Sequence, residues 1–184
     1  IARAEVVSLG THMQGQTVHI RSYSKSHGPD LRIAGLSGPA DIVDPIMARR
    51  MLGPGWTSRI LQSLLLALLD DPESGAVVAR ARQIYDRRTQ SLTEHLEKRG
   101  VHVHPGDGVN LWVEVADERA ALLVLAAAGI RVAPGSPFVI EASDPAHIRV
   151  TAALLPDDDV AQAAIATRIA SAATAESSPR GGVS

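Results

Sequence analysis

The chain has 184 residues, a formal net charge of −2 and no cysteine. A near-neutral balance without a basic block excludes a nucleic-acid surface of the chain's own, and the lack of thiols excludes disulfides, thiolate chemistry and cysteine zinc sites. Apolar residues make up 45% and aromatics only 3%, so Ala, Leu, Val and Ile must fill the core of one large domain or two small ones.

The opening IARAEVVSLG has neither an initiator Met nor a helix cap. It reads as the middle of a longer polypeptide, of which this chain is the C-terminal part, or else as a complete domain trimmed at its start. Residues 16–23 (QTVHIRSY) are rich in β-branched types and predict a strand that runs into Ser24, Lys25 and Ser26. His27-Gly28-Pro29-Asp30 is turn chemistry, and residues 31–38 predict a second short strand. Residues 40–52 predict a helix that Gly53-Pro54-Gly55 stops. Residues 56–69 predict another, nearly all apolar on one side, and residues 70–75 a loop. Within it, residues 60–69 form the longest apolar run, too short to span a membrane. With no signal peptide in evidence, a cytoplasmic location is expected.

Residues 76–99 predict a long, charged amphipathic helix ended by Gly100, with a domain change along it. The pattern then alternates. Strands are predicted over 101–104, 109–115, 130–133 and 147–154, with helices over 117–128 and from Pro156 to about Ala173. The tail 176–184 is Ser, Pro and Gly and is expected to be disordered. The order is α/β.

Lys25 carries the chemistry. An amine attacks an aldehyde when its pKa is lowered and water is partly excluded, and a strand end can project it into a cleft. Ser22, Ser24 and Ser26 offer hydroxyls, and Arg32 offers a planar fork suited to a phosphate dianion. Together they suit a phosphorylated aldehyde, of which pyridoxal phosphate is the common biological example. The residues alone leave a second reading open, a solvated turn that holds a lysine.

The pattern S-x-S-K, a turn proline, L-R ending seven residues after the lysine and a Gly three further on resembles the cofactor-lysine segment of fold-type I aminotransferases. The spacing is similar to the branch containing aminoadipate aminotransferases and MocR-type regulators, in which a GntR-type winged helix precedes an aminotransferase-like domain. Five further segments carry the resemblance. Residues 53–69 (GPGWTSRILQSLLLALL) resemble the helix that reaches toward the partner subunit, and residues 80–100 (RARQIYDRRTQSLTEHLEKRG) the interdomain helix. GVNLWVEV, VAPGSPF and IRVTAAL are similar to the small-domain strands in their usual order. About residues 18–170 are covered.

The resemblance implies the C-terminal part of a fold-type I transferase that depends on pyridoxal 5'-phosphate. Residues 1–75 would end the large domain, 76–100 would be the interdomain helix, 101–175 the small domain and 176–184 the tail. Lys25 would bear the cofactor covalently; Ser22 and Arg32, with Ser24 beside them, would hold its phosphate. Arg149 would grip the α-carboxylate of an amino-acid-like effector or substrate, a match to the guanidinium's bidentate geometry, or would instead be an outward strand residue in a surface ion pair. Asn110 would lie near that ligand or serve a turn. Trp56, Thr57 and Ser58 would line the other subunit's site or act as core and cap residues.

The function implied is the effector-sensing domain of a MocR/GntR-type transcriptional regulator. It would be a homodimer reaching DNA only through an N-terminal domain outside this chain. The alternative is a class I/II aminotransferase; a scaffold with a decayed site comes third. Before Lys25, Glu5 is the only acidic residue, and it suits the pyridine-nitrogen partner poorly. The chain by itself is therefore expected to be inactive. No metal site is expected: His102 and His104 face one side of a strand with no carboxylate or third histidine in sequence reach, and Asp157, Asp158 and Asp159 read as an acidic helix start.

Overall fold

The structure, a computed structural model, describes residues 8–13, 15–104, 106–140 and 145–176. Residues 1–7, with Glu5, and 177–184, nearly all of the expected tail, lie outside the described residues. The chain divides into two compact units, with the boundary between Ala81 and Arg82.

In the first unit, β1 (His19–Ser22) and β2 (Ala34–Ser37) form an antiparallel pair, with Ser22 opposite Ala34. Tyr23 N–H extends the ladder to the carbonyl of Ile33 at 3.1 Å. α1 (Ala40–Met51) starts after Pro39, and Gly53-Pro54 bars its continuation. α2 (Arg59–Asp70) is capped by Ser58, whose Oγ accepts from Leu61 N–H at 3.3 Å. Ser58 thus takes the cap role, one of the two readings open for it, and Trp56 and Thr57 precede the helix. Of the hydrophobic residues described in this unit, only Leu31 and Leu65 are buried.

α3 (Pro72–Glu97) crosses the boundary between the units. The expected loop over 70–75 is a correction, because the helix begins at Pro72. Asp71 caps it: its carboxylate accepts from Ser74 Oγ at 2.6 Å and from the N–H groups of Ser74 and Glu73 at 2.9 and 3.3 Å. These bonds, the Ser74 hydroxyl first, hold its pKa below the usual carboxylate range. Asp-Pro is a cap followed by the residue whose missing N–H costs nothing at N1.

The second unit is a four-stranded antiparallel sheet in the order β3 (Val103–His104), β4 (Asn110–Glu114), β6 (His147–Thr151), β5 (Ala133–Pro134). The predicted strand at 130–133 shortens and shifts to Ala133–Pro134, because Gly129, at φ +76°, and the turn behind it consume the residues between. The strand predicted over 147–154 ends at Thr151 in a 3-10 turn.

Burial alternates strictly along β4 and β6. Leu111, Val113, Ile148 and Val150 face inward and meet Leu92 and Leu96 of α3, Leu125 of α4 (Glu118–Ala127) and Ile169 of α5 (Asp159–Ala173). Helices thus cover one face, giving a two-layer α/β unit. Truncating a fully buried residue such as Leu96 to Ala would cost about 2–5 kcal/mol.

The acidic run before α5 has three separate structural uses. Asp157 pairs with Arg87 at 2.9 Å, Asp158 caps α5 through Val160 N–H at 3.1 Å, and Asp159 accepts from His95 Nε2 at 2.8 Å. The His95 bond, seconded by its charge and by Ser91, holds the Asp159 carboxyl below its ordinary range. A carboxyl depressed in the folded state adds stability above its unfolded pKa and loses it as pH falls through the folded one. Asp159→Asn is therefore expected to lower the thermal midpoint slightly at neutral pH, since the pair is exposed. The gap should close in strong acid; melting curves across an acid series check this, and a gap constant at every pH contradicts the linkage.

Candidate functional site

Four of the predicted site residues lie on one hairpin. Ser22 ends β1, Ser24 and Lys25 occupy the turn after it, and Arg32 returns the chain to β2. The turn is tight: the Tyr23 carbonyl accepts from Ser26 N–H at 3.2 Å and His27 N–H at 2.9 Å. Ser26 Oγ lies 2.7 Å from His27 Nδ1, and the His27 ring sits edge-on to Tyr23 at 5.8 Å between centroids. Ser22 Oγ accepts from Ser24 N–H at 3.4 Å, which turns both serines to one end of the hairpin.

Beyond the lysine, Gly28 takes φ +110°, a conformation that favours glycine, and Leu31 anchors the loop at 6% exposure. Arg32 then adopts φ +47°, the only positive φ outside glycine among the described residues. Left-handed backbone costs an ordinary residue about 1 kcal/mol or more. Glycine would be the relaxed choice at this position.

Lys25 and Arg32 have no ion-pair partner among the described residues. Ser26 and His27, with Leu68, Asp71, Val77 and Val78, wall a cavity of about 500 Å³ within the same unit; Lys25 is not among its lining residues.

Two other predicted residues share the open face of the second unit's sheet. Arg149 lies opposite Trp112 and Ala133, and Asn110 opposite Thr151. Ile148 and Val150 point into the core, so the arginine points out of it. Its guanidinium sits 5.2 Å from the Phe138 ring centroid, and its buried Nε has no hydrogen-bond partner. No carboxylate pairs with Arg149 among the described residues, so the surface ion pair considered for it is not formed. Asn110 Oδ1 accepts from Thr151 Oγ1 at 2.9 Å, which orients the amide.

Sequence reasoning missed the residues that hold this face together. Glu118 clamps the turn after β5: its carboxylate accepts from Gly135 N–H at 2.8 Å, Ser136 N–H at 2.7 Å and Ser136 Oγ at 2.8 Å. That fixes the turn carrying Phe138, whose ring meets Trp112 edge-on at 5.6 Å. Gly135 is required by space: a Cβ there would strike the His147 carbonyl and the Trp112 ring. The only available signal was VAPGSPF itself, since the partner lies 17 residues away in sequence.

The chain matches the family model described as aminotransferase class I and II over residues 2–166, and it belongs to that family. It is 36% identical over 143 residues to the vitamin B6 salvage pathway transcriptional repressor PtsJ of Salmonella typhimurium, a match covering 77% of this chain and 33% of the relative. It is 30% identical over 167 residues to the HTH-type transcriptional regulator TauR of Rhodobacter capsulatus, covering 88% of this chain and 34% of that one. Among solved structures, the aspartate aminotransferase from Thermus thermophilus with maleate matches at a TM-score of 0.78 and 24% identity, over 93% of this chain and 45% of the other. The aromatic aminotransferase from Pyrococcus horikoshii OT3 matches at 0.76 and 20%, over 92% and 46%. The fold is that of the fold-type I aminotransferases. The chain spans about a third of the length of the curated relatives it matches.

Family and fold depend on pyridoxal phosphate. The residues present fit two parts of that group. An arginine without a counter-charge, beside serine hydroxyls, suits the phosphate, and an unpaired lysine suits the aldehyde.

The strain at Arg32 generates a prediction. Arg32→Gly should raise stability by about 1 kcal/mol while weakening retention of pyridoxal phosphate; Arg32→Ala should weaken retention without that gain, because alanine bears the same left-handed cost. Thermal melts alongside cofactor dialysis check it, and equal stability of the two variants would sink the strain argument.

Proposed function

We propose that this chain is the pyridoxal-phosphate-binding, aminotransferase-like sensing portion of a MocR/GntR-type transcriptional regulator, acting in the cytoplasm as a homodimer. Lys25 and Arg32 carry the proposal: two cations without counter-charge, set seven residues apart on one hairpin, the second held in a strained backbone. Lys25 bears the cofactor, Arg32 and Ser22 hold its phosphate, and Ser24 adds a weaker hydroxyl contact. The cofactor supplies an aldehyde that condenses with an amine and a ring that accepts electrons.

Arg149 and Asn110 bind the α-carboxylate end of an amino-acid-like effector. The Arg149 guanidinium is already positioned by Phe138 and still has donors to give, so an α-carboxylate gains two parallel charge-assisted bonds there. Phe138 and Trp112 beside it shield those bonds from water, which strengthens them. Effector binding shifts a conformational equilibrium that a DNA-binding domain, outside this chain, reports. Domains follow the same reading: residues 1–75 end the large domain, 76–100 bridge, and 101–175 form the small domain.

Likeness to PtsJ and TauR favours the regulator. The second reading, a plain aminotransferase, draws on the 26% identity to aminotransferase tdiD of Emericella nidulans. There Lys25 would also move the proton at the substrate's Cα.

The test uses the whole protein. Borohydride treatment with pyridoxal phosphate should fix the cofactor on Lys25, read by peptide mass spectrometry, and Lys25→Ala should abolish the visible band. Labelling of Lys98 instead would refute the assignment.

Arg149→Ala should leave that band intact. It should weaken the amino acid's effect on DNA binding about tenfold or more, since a hydrogen bond to a charged group contributes about 1.5–3 kcal/mol. Loss of cofactor in this variant would remove the division of roles, and turnover of amino acid to keto acid without any DNA binding would favour the enzyme.

A further inference from the structure

We propose that the open face of the second unit's sheet carries a zinc-class divalent metal site built from His102, His104 and Glu114, with His147 as its fourth ligand. The strands bring His102, His104 and Glu114 into one group and set His147 against His104. His102 and His104 are two residues apart at the edge of the sheet and so face the same side. Glu114 N–H donates to the His102 carbonyl at 3.1 Å, which sets Glu114 beside His102. Glu114 in turn lies opposite His147.

The distances suit a small cation. One ligand atom from each of His102, His104 and Glu114 lies within 4.8 Å of the others. His102 Nδ1 is 3.4 Å from Glu114 Oε2, and His104 Nε2 is 3.0 Å from His147 Nε2. Metal–ligand bonds of about 2.0–2.2 Å in a tetrahedron put neighbouring donor atoms roughly 3.3 Å apart. The remaining closure falls to exposed side chains: His102 is 65% and Glu114 42% exposed at the side chain, so both can swing inward.

His147 adds an independent indication. Its Nδ1–H donates to the Pro145 carbonyl at 2.6 Å. That bond fixes the tautomer and leaves the Nε2 lone pair aimed at His104. Metal-bound histidines are usually oriented by just such a bond from the second ring nitrogen. Without a cation, the two Nε2 atoms can satisfy each other only if one carries the proton; with a cation, both lone pairs are used.

Donor chemistry sets the metal class. Three imidazoles and one carboxylate suit zinc and its neighbours, whereas calcium and magnesium demand oxygen donors. The scaffold beneath is stiff, because Val103, Val113 and Ile148 on the opposite face are at most 5% exposed. All four ligands belong to the second unit, and Lys25 and Arg32 to the first.

The experiment uses the chain as it stands. After treatment with a chelator, it is titrated with zinc chloride by calorimetry and with cobalt chloride by visible absorption. One zinc per chain and an intense, tetrahedral-type cobalt spectrum are expected. His104→Gln and His102→Ala should each weaken zinc binding more than about tenfold, with His12→Ala as an unchanged control. Circular dichroism confirms that each variant is folded, which these exposed positions favour; should one fail, the other carries the test. Zinc binding that survives both substitutions, a weak octahedral cobalt spectrum, or no binding at all would overturn the proposal.

Discussion

The pairing of Trp112 with Arg149 across β4 and β6 decides which side chains of the second unit meet the core and which stand on the open face. Strand side chains alternate with a period of two, so a slip of one residue would exchange the faces completely. It would bury Arg149, Trp112 and His147 and expose Val113, Ile148 and Val150. The core forbids this, because those three aliphatics are at most 5% exposed and pack on α3, α4 and α5. Helices cover one face only, and every polar candidate of this unit stands on the other. The hydrophobic effect is nondirectional, yet through register it aims a guanidinium and three imidazoles.

The Lys25 hairpin works by a different economy. Little apolar surface is buried there; Leu31 is its one buried residue. Position is set instead by short-range bonds to the Tyr23 carbonyl, by Gly28 and by the left-handed Arg32. Local strain of this kind persists only where neighbours over-determine the backbone. Here the ladder on one side and the Leu31 anchor on the other provide that restraint.

Much of this was legible in the sequence. The strand before Lys25, the alternation of VNLWVEV, the Asp117 start of α4 and the acidic start of α5 all follow local rules of period and capping. The proposed cofactor segment was legible only by likeness, since serines, a lysine and an arginine in a turn carry no unique chemistry. Asp71-Pro72 was readable as a cap and first helical residue but was taken as a loop, because the Pro-Glu-Ser-Gly run beside it mimics turn composition. Of the histidine cluster, only the shared face of His102 and His104 was legible. His102, Glu114 and His147 meet only through strand register, and a strand's partner is not written in its own period. The same holds for the Glu118 clamp on Ser136.

Where the cooperative unit begins is decided by packing. Leu92 and Leu96 of α3 are fully buried in the same cluster as Val113, Ile148 and Ile169. Arg88 donates to the Ala153 carbonyl at 2.8 Å, and Arg99 bridges to Thr167 at 3.1 Å. The C-terminal half of α3 is therefore a structural member of the small unit, and the sheet would lose part of its cover without it. The N-terminal turn of the same helix is capped by Asp71 and walls the cavity beside His27. One continuous helix thus belongs to both units.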